Sequence, residues 1–369
     1  MRILILMRSS ILTNRGGAEV QAEFIRQACV EAGHEVHFAF ESKEPIAVPN
    51  DGTRYHLLPN RGRIRSYFNY GPLLRLVRQI KPDVIYQRVR FSYTGIGAYL
   101  AKRHGFRLIH GISADYACKR NRIQIRRACV SSWITERLGR YGILHADSLI
   151  SQTAYQADLL RENFGLDSVV IPNGHPVPRG PFEKSAPPVI VWVANIKSWK
   201  QPELFIDLAE QMCDTNARFI MAGRPSGAAY QKSILDRALK VPNVEYVGHL
   251  SLGEVNDLLA QASVFVNTSR PREGFPNTFV QAWLRETPVA SLSFDPDGVN
   301  AREGIGFRSG SLERLAADVR KLIESPDLRR EMGKRAREYA RREHDLRVTT
   351  ARHLVEFERI ASRPRERGK

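Results

Sequence analysis

The sequence predicts an α/β protein with two doubly wound domains of parallel strands, because short apolar runs alternate with helical patterns along it. Its 369 residues are enough for about two domains. A segment rich in Pro and Gly separates two such series of strands and helices. We therefore predict an N-terminal domain over 1–171, a linker over 172–188, a C-terminal domain over 189–345, and a last helix with a basic tail over 346–369.

The first domain is predicted to contain buried strands joined by helices. The opening strand is too short an apolar run for a signal peptide. The first helix, over 17–32, is closed by Gly33, a residue that favours the left-handed backbone found after helix ends. A polar connection containing Pro follows the second strand. The predicted strands are 2–7, 35–40, 83–86, 107–112 and 148–151.

The second domain repeats this alternation after the linker. Each of its strands is followed by a segment whose apolar residues recur with the period of a helix. From Leu312 onward the sequence is almost continuously helical and rich in Arg and Glu, with Ser325 and Pro326 as the only interruption. The predicted strands are 189–194, 218–222, 244–246 and 264–267.

The segment from Arg270 to Trp283 joins the last of these strands to a helix. Gly274 lets the backbone approach a ligand, and the N–H groups at the start of the helix attract negative oxygens. Glu273, just before that glycine, is placed to accept hydrogen bonds from sugar hydroxyls. An acid followed by Gly and small polar residues therefore predicts a compact site for a sugar diphosphate.

Two lysines follow the first strand of the second domain. Lys197 and Lys200 are spaced so that both can face the carboxyl end of the sheet. Two ammonium groups there would neutralise a departing diphosphate, which a metal ion does in other folds. The alternative is a pair of solvated lysines on a loop.

A pair of glycines lies where the first strand turns into the first helix. In Arg15-Gly16-Gly17-Ala18-Glu19, these glycines let the backbone approach a donor phosphate or an acceptor. Taken alone, the same pair suits an ordinary turn at the start of a helix.

These motifs, in this order, resemble glycosyltransferase family 4, a large family of retaining, nucleotide-sugar-dependent enzymes with the GT-B fold. The resemblance covers nearly the whole chain and implies two Rossmann-like domains facing a cleft, with the last helix crossing back to the first domain. The remaining motifs that carry it are Val170-Ile-Pro-Asn-Gly174, Met221-Ala-Gly-Arg224 and Val244-Glu-Tyr-Val-Gly248.

The resemblance implies transfer of a sugar from a UDP- or GDP-linked donor to an acceptor hydroxyl with retention of configuration, in cell-surface polysaccharide or glycolipid synthesis. It implies no metal and no cofactor besides that donor. The residues expected to be catalytic are Glu273, Lys200, Lys197 and Asp115. Those expected to bind the donor are Gly16, Gly17, Gly223, Arg224, Gly248, Gly274, Phe275, Asn277, Thr278 and Gln281.

Two positions depart from the family pattern. Gln281 stands where the family usually places a second Glu, and an amide there can still bind a ribose hydroxyl. Many relatives carry a His just past a first-domain strand, where this chain has Ser113. His110 is then expected to be a packed strand residue, and Asp115 is the better candidate to approach the acceptor hydroxyl.

Other function classes are less consistent with the sequence. Asp295 and Asp297 mimic a D-x-D metal motif but lie in a turn-forming Asp-Pro-Asp-Gly context. No Walker loop or complete dinucleotide fingerprint is present. The alternatives left open are another GT-B enzyme, such as a sugar-nucleotide epimerase or a phosphorylase, and a non-catalytic basic protein.

The formal net charge of +17 is unevenly distributed along the chain. Its excess lies outside residues 172–329 and is densest between Arg54 and Arg140, where aromatic residues are interleaved. Such a surface suits an anionic membrane, and nucleic-acid phosphates less so. A plain solvated basic face is the alternative.

Cysteine usage and hydropathy bear on the compartment. The four cysteines form no C-x-x-C pair, so neither zinc nor disulfides are predicted and a reducing cytoplasm fits. No stretch approaches the roughly 20 apolar residues of a membrane span. We expect a cytoplasmic protein that can associate peripherally with the membrane.

Overall fold

The computed structural model describes residues 1–14, 16–120, 130–224, 228–270 and 274–364. The chain divides into two compact units. The first comprises Met1–Gly174 and Leu346–Lys369, and the second comprises His175–Asp345. Each unit contains one parallel sheet with helices between its strands.

The first unit has a seven-stranded sheet in the order β3-β2-β1-β4-β5-β6-β7, with every neighbouring pair parallel. The chain passes from β1 outward to β3 and then returns to β4 on the other side of β1, which makes a topological switch point there. The strands are β1 (Arg2–Leu6), β2 (Glu35–Ser42), β3 (Thr53–Pro59), β4 (Val84–Arg88), β5 (Arg107–Gly111), β6 (Ser148–Ser151) and β7 (Val169–Val170).

Helices lie between these strands, except between β2 and β3, which are joined by a connection without a helix. Residue Gly33 follows the first helix with φ of +76°, which confirms the predicted left-handed position. The helices are α1 (Gly17–Glu31), α2 (Tyr70–Ile80), α3 (Ser92–His104), α4 (Val130–Leu144) and α5 (Ala154–Phe164).

The second unit has a six-stranded parallel sheet in the order β10-β9-β8-β11-β12-β13. Its strands are β8 (Val189–Val193), β9 (Arg218–Ala222), β10 (Val244–Gly248), β11 (Val264–Asn267), β12 (Val289–Ser291) and β13 (Gly306–Arg308). Its helices are α6 (Pro202–Glu210), α7 (Ala228–Ala238), α8 (Leu252–Gln261), α9 (Asn277–Trp283), α10 (Val299–Arg302), α11 (Leu312–Glu324) and α12 (Pro326–Glu343).

The last helix, α13 (Leu346–Ala361), belongs to the first unit. It packs with α1 over the sheet, where Phe357 and Ile360 join a core that includes Ile5 and Tyr86. Full burial of an aromatic side chain such as Phe357 stabilises a fold by roughly 1.5–3 kcal/mol. The core of the first unit is therefore completed by the end of the chain.

The sequence-based expectation missed four strands: β3, β7, β12 and β13. Strand β3 is at the edge of its sheet and has mostly half-buried or exposed residues, so it lacks the apolar run of a central strand. The others are only two or three residues long. The C-terminal helices are also broken at His344 and Asp345, in addition to the predicted break at Ser325.

Candidate active site

Two loops meet at the carboxyl ends of β8 and β11, which are neighbouring strands in the second unit. The first loop contains a short 3-10 turn, Ser198–Lys200. The hydroxyl of Thr268, just after β11, lies 2.8 Å from the carbonyl oxygen of Lys200. The amide of Arg270 donates to the carbonyl oxygen of Trp199 at 2.9 Å. Main-chain contacts therefore fix the lysine loop against the segment that leads to residues 271–274.

The two predicted lysines differ in their surroundings. Lys197 is exposed, whereas Lys200 is half-buried with its Nζ atom 4.4 Å from the ring centroid of Trp199. Desolvation, together with the charge of Lys197, lowers the pKa of Lys200 to about 7. Since a nearby anion favours the charged form, a diphosphate at this loop would raise that pKa again.

The segment after β11 contains the predicted acid. Glu273 lies outside the described residues together with Pro271 and Arg272, so its role stays a prediction. Gly274 and Phe275, which follow it, are buried.

The side chain of Phe275, a residue expected to bind the donor, lies in the core. The ring packs in the core of the second unit, with centroids 5.9 Å from Trp283 and 4.8 Å from His344. A ring committed to these contacts is not presented to a ligand. A donor contact would then be made by the backbone of Phe275, and it stays a prediction.

Helix α9 begins at the predicted Asn277 and Thr278, which are both half-buried. The side chain of Asn277 is hydrogen-bonded to His175, a buried residue whose pKa is lowered to about 4 by burial. The helix has only seven residues, so its dipole is small. Attraction for an anion near α9 would therefore depend mainly on the lysines.

Gln281, the residue in place of the family's second Glu, lies on α9 and is only 3% exposed. Its Nε2 atom donates a hydrogen bond to Oδ1 of Asn256 on α8 at 2.9 Å. The amide is thus oriented by a neighbouring helix. Asn256 was not identified from the sequence, because nothing in its local pattern marks a partner across two helices.

The two glycines at the ends of β9 and β10 are held close together. The amide of Gly223 donates to the carbonyl oxygen of Gly248 at 2.8 Å, and the hydroxyl of Tyr246 donates to the carbonyl oxygen of Gly223 at 2.8 Å. A Cβ atom on Gly223 would lie 1.7 Å from the carbonyl oxygen of Ala194. Gly248 has φ of +79° and open space where a Cβ would be. These positions need glycine for packing and for backbone conformation, respectively.

An exposed pair of side chains lies beside these glycines. The Nη2 atom of Arg224 is 3.1 Å from Nε2 of His249. His249, like Thr268 and Trp199, was missed by the sequence reasoning. The available signal was position, since each of the three residues is adjacent in sequence to a predicted strand or a predicted site residue.

In the first unit, Gly16 and Gly17 lie at the start of α1, as predicted. Gly16 is extended, and a Cβ on it would meet the carboxylate of Glu19 at 2.4 Å. That carboxylate accepts hydrogen bonds from Ser9 at 2.6 Å and Asn14 at 3.1 Å. A larger residue at position 16 would therefore displace the carboxylate that organises the loop. Arg15 lies outside the described residues.

The structure places Asp115 differently from the expectation. Its side chain is buried and accepts a hydrogen bond from Nε2 of Gln156 at 3.0 Å. This buried contact favours a structural role, and the approach of Asp115 to an acceptor stays a prediction. His110 is buried in β5, 2.6 Å from the Gln87 side chain, which confirms the packed-strand interpretation, and burial lowers its pKa to about 3.

The D-x-D look-alike forms a local turn. Asp295 precedes a 3-10 turn, Pro296–Gly298, and accepts a hydrogen bond from the amide of Asn300 at 2.9 Å. Among the described residues, no group of three or more His, Cys, Asp or Glu side chains is arranged to hold a metal ion.

Two family models match the chain. The one described as Glycosyltransferase Family 4 matches residues 15–177, and the one described as Glycosyl transferases group 1 matches residues 187–325. One subunit of human phosphatidylinositol N-acetylglucosaminyltransferase is 25% identical over 288 residues, or 73% of this chain. The chain spans 57% of the length of that human protein.

Solved structures share the fold. Anabaena HepE, in complex with UDP and glucose, superposes with a TM-score of 0.75 at 16% identity, covering 97% of this chain and 100% of HepE. Sucrose-phosphate synthase from Thermosynechococcus elongatus superposes with a TM-score of 0.78 at 14% identity, covering 98% and 99% of the two chains.

The two Rossmann-like parallel sheets and the two matching models define the class of protein, which is a glycosyltransferase with the GT-B fold. The family models cover both halves of the chain: a Glycosyltransferase Family 4 domain over residues 15–177 and a Glycosyl transferases group 1 domain over residues 187–325.

Proposed function

We propose that the protein transfers a sugar from a nucleoside diphosphate donor to an acceptor hydroxyl with retention of configuration. The observation that carries this proposal is the lysine loop held by Thr268 and Arg270 against the segment that leads to Gly274. Cations and a close-approach glycine are thereby brought to one edge of a sheet, where parallel α/β folds bind nucleotides. Retention is proposed from the match of residues 15–177 to the Glycosyltransferase Family 4 model.

The mechanism we propose is mainly electrostatic. Lys197 and Lys200 stabilise the negative charge that develops on the leaving diphosphate, and Glu273 orients the sugar. A half-buried amine such as Lys200 is more effective than one in water, because the local dielectric is lower. Backbone groups near Gly223 and Gly248 are proposed to hold the nucleotide base.

The comparisons support a nucleotide-sugar donor. Anabaena HepE is solved with UDP and glucose, and the name of the human relative states an N-acetylglucosaminyl transfer. We propose a UDP- or GDP-linked donor, no requirement for a divalent ion, and a glycan or lipid-linked acceptor in cell-surface polysaccharide or glycolipid synthesis.

We expect calorimetry to detect binding of UDP or GDP, and the affinity to survive an excess of chelator. A ligand at a hundred times its dissociation constant should stabilise the protein by roughly 2.7 kcal/mol, which a thermal shift screen of nucleotide sugars would detect. Nuclear magnetic resonance of the product should show the donor's anomeric configuration.

Three results would contradict the proposal: no heat with any nucleoside diphosphate, loss of turnover with chelator, or an inverted product. Conversion of the sugar nucleotide into its epimer without an acceptor would instead indicate an epimerase. A requirement for inorganic phosphate would indicate a phosphorylase.

The acceptor is proposed to be presented at an anionic membrane surface. The 3-10 helix Arg63–Asn69 contacts α4 through Tyr67 and Ser131, whose hydroxyls are 3.1 Å apart. Nearby apolar side chains are exposed: Phe68 by 58%, Trp133 by 45% and Val130 by 73%. We call these five residues, Tyr67, Phe68, Val130, Ser131 and Trp133, the aromatic patch.

Charge around the aromatic patch favours anionic lipid. The guanidinium of Arg137 lies 4.8 Å from the ring centroid of Trp133. Only three acids occur from residue 60 to residue 146, and one of them, Glu136, is paired with Arg90. Basic groups near a bilayer contribute about 1 kcal/mol each. In the part of the chain that the structure describes, no helix has the length and apolar character of a membrane span.

We expect the protein to sediment with vesicles containing anionic lipid and to dissociate at about 0.5 M salt, because screening weakens surface charge attraction. The double variant Phe68→Ser/Trp133→Ser should reduce binding about tenfold or more. Leu239→Ser, which changes an 84% exposed leucine of the second unit, is the matched control. Equal sedimentation of both variants, or tighter binding to duplex DNA than to vesicles, would contradict the membrane proposal.

A further inference from the structure

Arg88, the last residue of β4, is a cation buried without an acid. It is 3% exposed. Its Nη2 atom donates to Oδ1 of Asn173 at 2.7 Å, and its Nη1 atom donates to the hydroxyl of Tyr86 at 3.1 Å. Both acceptors are neutral. Among the described residues, no carboxylate oxygen lies within 4.0 Å of the Arg88 guanidinium.

A buried guanidinium with only neutral acceptors is incompletely compensated. Arginine offers five N–H donors, and two of those of Arg88 are used by Asn173 and Tyr86, so three remain. Its Nε atom is buried and makes no hydrogen bond within the described chain. Taking a charge out of water is costly unless a counter-charge is supplied, so the surroundings of Arg88 favour an anion.

The surroundings also support Arg88 in a defined geometry. A Cβ at Gly111 on the neighbouring strand β5 would lie 2.6 Å from the Tyr86 hydroxyl, so the glycine makes room for that hydroxyl. On α13, Glu356 does not neutralise Arg88, because it is engaged by Arg359 at 2.6 Å and by Ser148 at 2.5 Å. The cation is therefore held by its neighbours but not neutralised by them.

The position of Arg88 is one where doubly wound sheets bind ligands. Strand β4 lies beside β1, with Leu6 paired to Gln87, and the topological switch point falls between these strands. Helix α1 follows β1. Its residue Gln21 exchanges hydrogen bonds of 2.9 and 3.1 Å with the backbone of Gly174, next to the Asn173 that contacts Arg88.

Helix α1 adds a second feature that attracts anions at this place. It has fifteen residues and begins after Gly16, whose backbone is extended. The start of a long helix carries a partial positive charge that favours a negative ligand. Arg88 and the start of α1 thus belong to one region at the carboxyl ends of β1 and β4.

We infer that Arg88 binds a phosphate group of a substrate within the first unit. This inference rests on the proposed function and extends it, since the phosphate belongs either to the nucleoside diphosphate donor or to a phosphorylated acceptor. The chemistry is the same in both cases: a planar guanidinium fork donates to phosphate oxygens.

The test uses the full chain with Lys197→Ala and Lys200→Ala, which removes the proposed diphosphate contacts of the second unit. Thermal unfolding midpoints are measured against inorganic phosphate, glycerol 3-phosphate and UDP at matched ionic strength. In this background we expect at least one of the three to raise the midpoint. Adding Arg88→Met should lower the affinity for that ligand about tenfold or more. Arg88→Lys should lower the affinity less.

Asn173→Ala is the matched control, because it removes the internal contact of Arg88 but leaves the charge. If Arg88 only anchors Asn173, Arg88→Met and Asn173→Ala should lower the affinity for phosphate equally, and the inference is then wrong. Circular dichroism establishes that each variant is folded, and Arg88→Lys provides the comparison should the methionine variant fail to fold. Unchanged affinity for all three ligands in both Arg88 variants would equally overturn the inference.

The ligands also distinguish the two sources of phosphate. If Arg88→Met binds UDP more weakly but glycerol 3-phosphate with unchanged affinity, Arg88 contacts the donor. If it binds glycerol 3-phosphate more weakly but UDP with unchanged affinity, Arg88 contacts the acceptor. Failure of the proposed function has a different signature, since the unmodified protein would then bind no nucleoside diphosphate while the Arg88-dependent effect of inorganic phosphate persisted.

Discussion

Lys200→Met is expected to lower kcat by about 10²–10³-fold, because one donor aimed at the developing charge of a transition state has that effect. The turn that carries Lys200 is held through the carbonyl oxygens of Trp199 and Lys200, so the substitution should leave the loop in place. Steady-state kinetics and the thermal unfolding midpoint measure the two effects separately. Lys240→Met, at an exposed position of the same unit, is the control.

The same lysine gives diphosphate binding a proton linkage. With a pKa of about 7 in the free protein, Lys200 is mostly neutral at pH 8 and mostly charged at pH 6. A diphosphate favours the charged form, so binding should take up close to one proton at pH 8 and much less at pH 6. Calorimetry in buffers of different ionisation enthalpy counts these protons. Equal uptake by wild type and Lys200→Met, or a kcat that the substitution leaves unchanged, would remove Lys200 from the mechanism.

Central strands were predictable because each is buried on both faces and reads as a continuous apolar run. Strands β4, β8 and β11 are examples, and their predicted positions agree with the structure within two residues. Strand β3 was not predictable in this way, since its Thr53–Pro59 segment is an edge with mixed polarity. Its place is decided by pairing with β2, a contact between segments that local sequence does not record.

The candidate site shows the same limit. Residues whose backbone has a special requirement were recognisable, as Gly223 and Gly248 show. Hydrogen-bond partners on different helices or loops were not recognisable from the sequence. The contacts of Thr268 with the lysine loop and of Asn256 with Gln281 depend on tertiary packing.

Side-chain direction was also beyond the sequence. Phe275 and Asp115 follow predicted loops and suit a binding site by position, yet both are buried. Position along the chain predicts which edge of the sheet a residue occupies. It does not predict whether the side chain turns toward a ligand or into the core.

Gly223→Ala is expected to destabilise the protein by about 3 kcal/mol or more, which is at the upper end for overpacking. The added Cβ would lie 1.7 Å from the carbonyl oxygen of Ala194, and backbone cannot yield as a flexible side chain does. Relief requires the ends of β8 and β9 to separate, which also breaks the contacts from Gly223 to Gly248 and Tyr246. Nucleotide binding should therefore be lost together with stability.

The urea midpoint of unfolding measures the stability change, and calorimetry with the preferred nucleotide measures the loss of binding. Gly253→Ala is the matched control, since that glycine is in α8 and the nearest atom to an added Cβ is Oγ of Ser251 at 3.9 Å. Alanine in a helix should stabilise by about 0.5–1 kcal/mol. If both alanine variants unfold at the wild-type midpoint, the close approach of β8 to Gly223 does not constrain the fold. If only nucleotide binding is lost, the glycine is required by the ligand and not by the packing of the strand ends.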